Sequence, residues 1–134
     1  MKLLLDTHSF LWFIDGNPKL STTARTLIED ITNERILSVA STWELAIKHS
    51  IGKIQFTQPF DRFLFDQLEQ NSIDLLNITV AHTIRTASLP FYHRDPFDRM
   101  LIAQSLTENI PIVSGDAVFD AYGVIRLWEP HHLP

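Results

Sequence analysis

The 134-residue chain has no cysteine, only four glycines, fewer basic than acidic side chains, and no long apolar run. Without cysteine there is no disulfide scaffold, no Cys-based zinc site and no thiol chemistry, which fits a reducing cytoplasm. The first apolar run, Leu3-Leu4-Leu5, stops at Asp6. That is shorter than a signal-peptide core or a membrane span, so a soluble, cytoplasmic protein away from membranes is expected. The glycines form neither GxGxxG nor GxxxxGK[ST], which removes the common nucleotide-phosphate cradles. With 11 Lys and Arg against 16 Asp and Glu, the net charge is −5. This argues mildly against a nucleic-acid partner unless some carboxylates hold cations. What is abundant is apolar, 45% of residues. That suffices for one globular domain, residues 1–134, and excludes disorder.

Five short apolar runs read as strands: Lys2–Leu5, Ile36–Ala40, Ile73–Ile78, Ile110–Val113 and Val124–Trp128. Little alternation within them suits strands covered on both faces. Helical periods lie between them. Leu27, Ile28 and Ile31 mark a helix from Ser21; Trp43, Ala46, Ile47 and Ile51 another after Ser41. Phe60, Phe63, Leu64 and Leu68 mark a third, with Phe65 off its stripe; Ala81, Ile84 and Ala87, then Met100–Leu106, mark two more. Alternating strands and helices predict an α/β fold, a mostly parallel sheet of about five strands flanked by helices.

Acidic residues fall at the joints of this pattern. Asp6 follows the first strand, Glu44 lies just past the second, Asp95 and Asp98 straddle Pro96, and Asp116 follows Val113 by three residues. Parallel strands end at a common edge, where ligands of such folds bind. Helix capping accounts for each acid singly: Ser41-Thr42-Trp43-Glu44 fits a capping box, and Asp95-Pro96 fits a cap followed by proline at the first helical position. Capping does not account for carboxylates converging from four segments, since Ser, Thr or Asn would serve as well. Gathered carboxylates repel unless a cation compensates, and oxygen ligands without cysteine favour Mg²⁺ or Mn²⁺. Such a cluster points to metal-assisted phosphodiester hydrolysis.

Four segments in order, Leu3-Leu4-Leu5-Asp6-Thr7-His8, Ser41-Thr42-Trp43-Glu44-Leu45-Ala46-Ile47-Lys48, His93 through Gln104, and Ser114-Gly115-Asp116, resemble the PIN-domain nucleases, and most of all the VapC-like toxins of type II toxin–antitoxin pairs. The resemblance runs from Lys2 to Trp128 and implies a single PIN-like domain with Mg²⁺- or Mn²⁺-dependent endoribonuclease activity. It assigns Asp6, Glu44, Asp98 and Asp116 to the acidic, metal-binding catalytic quartet. Thr7 and Ser114 match hydroxyl positions of the family. The Ser114-Gly115 pair departs from it, because longer side chains before the Asp are commoner, and loosening of that corner without loss of metal binding is expected. A cognate antitoxin, an RNA substrate and a homodimer are implied as partners.

Asp95 reads as a cap or as an acid supporting the cluster. Thr7 would orient a carboxylate or bond the local backbone. Lys48, Arg94 and Arg99 would clamp RNA phosphate, with ion pairs or solvated charge as the alternative. His8, His49 and His93 lack metal-binding spacing, so no histidine ligand is expected. A phosphoacceptor signalling domain would need an acidic pair after the first strand and an Asp after the third, where Asn77 and Thr79 stand instead. The remaining alternative is a catalytically silent PIN-like module that only binds RNA or a protein partner.

Overall fold

The computed structural model describes residues 1–133. Its five strands are β1 (Lys2–Leu5), β2 (Glu34–Ser38), β3 (Ile73–Leu76), β4 (Ile112–Val113) and β5 (Arg126–Leu127). They form one sheet in the order β3-β2-β1-β4-β5, and every pairing is parallel. Six helices connect them: α1 (Thr7–Asp15), α2 (Thr22–Glu29), α3 (Val39–Ser50), α4 (Phe60–Gln70), α5 (Val80–Ser88) and α6 (Pro96–Glu108). Among the described residues, no helix is long and apolar enough to cross a membrane.

The leucine run explains the centre of the sheet. Successive side chains of a strand point to opposite faces, and β1 is buried on both. Leu3 and Leu5 join Phe10, Ile28, Leu37 and Leu45 on one side, while Leu4 joins Ile36, Leu101, Ile102 and Ile112 on the other. Fully burying one such side chain contributes about 1.5–3 kcal/mol. The sheet order reverses at β1, whose neighbours are β2 and β4. The crevice at the carboxyl ends of β1 and β4 is therefore the topological switch point, where ligands of open α/β sheets bind.

All five expected strands are present, but the second differs in a way that matters. The strand ends at Ser38, whose hydroxyl accepts from Ala40 N at 3.0 Å and caps α3. The helix thus starts at Val39 and Glu44 lies in its second turn, so the Ser41–Glu44 capping box does not form. Two apolar stripes face solvent. On α3, Trp43, Ile47 and Ile51 are exposed while Ala40, Ser41, Glu44 and Leu45 are buried; on α5, Val80 and Ile84 are exposed while His82 is buried. The two helices flank a hollow of about 460 Å³ lined by Ala40, Trp43, Ile78, Phe91 and Met100. Helix α1, which periodicity did not reveal, follows β1 directly and ends at Gly16 in the left-handed conformation (φ 66°).

Candidate functional site

Most acids at the sheet edge are held by a helix cap or turn: Asp6 and Asp116 after their strands, Asp95 before α6. Asp6 ends β1 and caps α1, accepting from Ser9 N at 2.8 Å. Asp116 follows β4 and caps a short 3₁₀ turn, accepting from Val118 N at 3.0 Å. Ser114 is fully buried, and its hydroxyl accepts from Asp116 N at 3.0 Å. Asp95 caps α6, accepting from Phe97 N at 2.9 Å and Asp98 N at 3.0 Å, with Pro96 at the first helical position. That arrangement turns Asp98 toward the other acids.

The tightest grouping includes a residue that spacing did not suggest. His93 Nε2 lies 3.0 Å from Asp98 Oδ2 and 3.0 Å from Asp116 Oδ2. One ligand atom from each of these three side chains lies within 4.8 Å of the others, so together they could hold a metal ion. His93 thus stands among the acids although its spacing offered no metal motif. The loop before α6 folds back across five residues and brings His93 over Asp98; its only signal was membership of the His93–Gln104 segment. Asp6 and Glu44 stand outside this close trio. Both nonetheless act on it electrostatically, since each raises the Asp98 pKa.

Uncompensated negative charge raises the pKa of these groups. Asp98 is pushed up to about 7, first by burial, then by the Asp95 charge, with further increments from Asp6 and Glu44 and an opposing effect of His93. Burial also raises Asp6, against the hydrogen bonds it receives from Ser9 and Ser114. Buried carboxylates that repel one another titrate high until a cation joins them. The donor set of carboxylates and one imidazole fits a hard or borderline divalent ion.

The accessory residues divide. Thr7 donates to the Ser41 hydroxyl at 2.9 Å, tying α1 to α3, and bonds neither a carboxylate nor the backbone there. Lys48 pairs with Glu44 at 3.0 Å across one helical turn. Arg94 is exposed. Arg99 is a correction: its guanidinium is buried and donates to the carbonyls of Pro90, His93, Thr86 and Leu89 at 2.9–3.2 Å, lying 4.1 Å from the Phe91 ring centroid. It fastens the loop between α5 and α6 and has no free edge for phosphate. Gly115 is also not a loosened corner. A Cβ there would come within 2.9 Å of Trp128 Cζ2, so the indole occupies the space a longer side chain would fill.

An all-parallel sheet with carboxylates gathered at its switch point defines an α/β protein with an acidic edge. The PIN domain family profile matches residues 3–125, and the chain belongs to that family. Ribonuclease VapC16 of Mycobacterium tuberculosis (strain ATCC 25618 / H37Rv) is 31% identical over 71 residues; the match covers 50% of this chain and 50% of that protein. The chain therefore spans about half the length of the curated relative it matches. Three solved structures share the fold. VapBC2 from Rickettsia felis, bound to a DNA fragment from their promoter, gives a TM-score of 0.70 at 16% identity, covering 96% of this chain and 100% of that one. FitAcB from Neisseria gonorrhoeae gives 0.64 at 18%, covering 98% and 99%. VapBC-1 from nontypeable Haemophilus influenzae gives 0.64 at 14%, covering 91% and 92%.

Proposed function

We propose that the protein is a Mg²⁺- or Mn²⁺-dependent endoribonuclease, the VapC-like toxin of a toxin–antitoxin pair, acting in the cytoplasm. The observation that carries this reading is the His93–Asp98–Asp116 trio, with Asp98 pushed up to about 7 by burial and by the acids around it. Asp98, Asp116 and Asp6 would hold the ion, with His93 as a further donor and Glu44 completing the acidic wall. A bound Mg²⁺ or Mn²⁺ would supply an acidified water and neutralise charge on the phosphodiester. Ser114 would steady Asp116 through its backbone N–H, Lys48 would hold Glu44, and exposed Arg94 would meet phosphate.

The exposed apolar stripes of α3 and α5, and Phe65 exposed on α4, support protein partners, with an antitoxin and a second copy of this chain as the expected ones. One observation favours the silent-module alternative: His93 already bridges two carboxylates at 3.0 Å each, supplying a partner without any ion. Incubating the purified protein with RNA separates the two. Cleavage that needs Mg²⁺ or Mn²⁺, stops with EDTA and disappears in folded Asp6→Asn supports the nuclease. Activity surviving both EDTA and Asp6→Asn removes it, and no cleavage with no saturable Mn²⁺ binding selects the silent module.

A further inference from the structure

Beside Asp6 and Asp116 the sheet edge opens into a cleft of about 450 Å³, and its far walls are aromatic. Trp12 lies on α1, one helical turn beyond His8, and the two rings stack with centroids 5.4 Å apart and planes 20° from parallel. Trp128 closes the other side, 6.2 Å from Trp12 and tilted by 56°. Its position is fixed from two directions. The Ser21 hydroxyl donates to its backbone carbonyl, and its ring lies so close over residue 115 that only glycine fits there. Lys19 lines the same cleft, is exposed, and has no ion-pair partner among the described residues.

We infer that this cleft takes one unpaired nucleobase of an RNA strand, the base next to the phosphate at the acidic edge, stacked on the His8–Trp12 wall with Lys19 on the adjoining phosphate. The inference rests on the nuclease reading and adds how the strand is selected. Core packing explains why Trp12 and Trp128 are apolar; it does not explain why both leave ring surface in a cleft shared with two carboxylates and a free ammonium. A flat π surface beside a cation is the common means of holding single-stranded nucleic acid, because every base offers a face to stack. A base inside a duplex is already stacked and paired and cannot enter, so the cleft selects single-stranded or looped RNA.

Binding of a short fluorescein-labelled single-stranded RNA, followed by polarisation in EDTA, tests the cleft without requiring hydrolysis. Trp12→Leu keeps an apolar contact to the core but removes the ring, and is expected to weaken binding about tenfold, with Trp12→Phe retaining most of it. His8→Ala, at an exposed position where folding is not at risk, is expected to weaken it in the same direction. Lys19→Ala is expected to reduce the slope of log affinity against log salt by about 0.7. The same sequence annealed as a duplex is expected to compete poorly. Equal affinity of wild type, Trp12→Leu and His8→Ala, whether tight or absent, overturns the inference, as does a duplex competing as well as the strand. Failure of the nuclease reading is distinguishable: lost hydrolysis with ring-dependent binding leaves the base site standing, whereas metal-dependent cleavage with ring-independent binding removes the base site alone.

Discussion

Asp98 and Arg99 are neighbours in the chain, both drawn largely out of water, and their charges are met in different ways. The Arg99 guanidinium is surrounded by four backbone carbonyls and an aromatic face, so its donors are used inside the protein. Asp98 faces Asp95, Asp6 and Glu44, with His93 as the nearest opposing group, and its pKa climbs to about 7. A charge completed by its own chain is a fastening. A charge left short of a partner is an invitation to a ligand, because the deficit is relieved when a cation arrives.

The largest effect that would sharpen this contrast is on hydrolysis. Asp98→Ala or Asp116→Ala should lower RNA cleavage by about a hundredfold or more while leaving the circular-dichroism spectrum unchanged. Arg99→Ala should do something different: destabilise the fold by about 3 kcal/mol or more in urea unfolding, with or without divalent ions, since four carbonyls lose their donor. Arg99→Lys should rescue little of this, because an ammonium does not reproduce the guanidinium fork. An Arg99→Ala protein as stable as wild type would break the comparison.

The arginine was misjudged in the sequence for a definable reason. A cation flanking an acid has the same local appearance whether it points to solvent or to a ring of carbonyls, and those carbonyls come from Thr86, Leu89, Pro90 and His93 in a loop without periodicity. The strand β1 was legible because a short run such as Leu3-Leu4-Leu5, ended at once by Asp6, suits a strand buried on both faces at the centre of a sheet. The boundary between β2 and α3 was not, because Val39 and Ala40 suit either element and no Gly or Pro marks the change at Ser38. The Trp43–Ile47–Ile51 stripe was legible as a helix but not as an outward face, since a period says nothing about which way a stripe points. The carboxylates were legible through their places, Asp6 after β1, Glu44 in the helix that follows β2, Asp98 in the first turn of α6 and Asp116 after β4; His93 was not, because only the turn at Asp95 and Pro96 brings it back.

Smaller effects follow from protonation. Asp98 titrates near 7 in the native protein against 3.8 for an unconstrained carboxyl, so the folded state keeps a proton that the unfolded chain has lost. Stability therefore falls as pH rises from about 4 to about 7, and the full penalty remains above that. Mn²⁺ or Mg²⁺ should accordingly raise the thermal midpoint more at about pH 8 than at about pH 5, where protons compete for the same oxygens. Without metal, Asp98→Asn should be more stable than wild type by about 1 kcal/mol at about pH 8, with the difference vanishing below about pH 4. Urea unfolding at the two pH values measures it, and a destabilised Asp98→Asn at high pH would contradict the reading of an unmet charge.

Calorimetric titration of Mn²⁺ at about pH 6, repeated in buffers of different ionisation enthalpy, counts the protons that the ion displaces from the acidic edge. Saturable binding is expected to release close to one proton from wild type and clearly less from Asp98→Asn. No saturable binding, or the same proton release from both proteins, would contradict a metal site at Asp98.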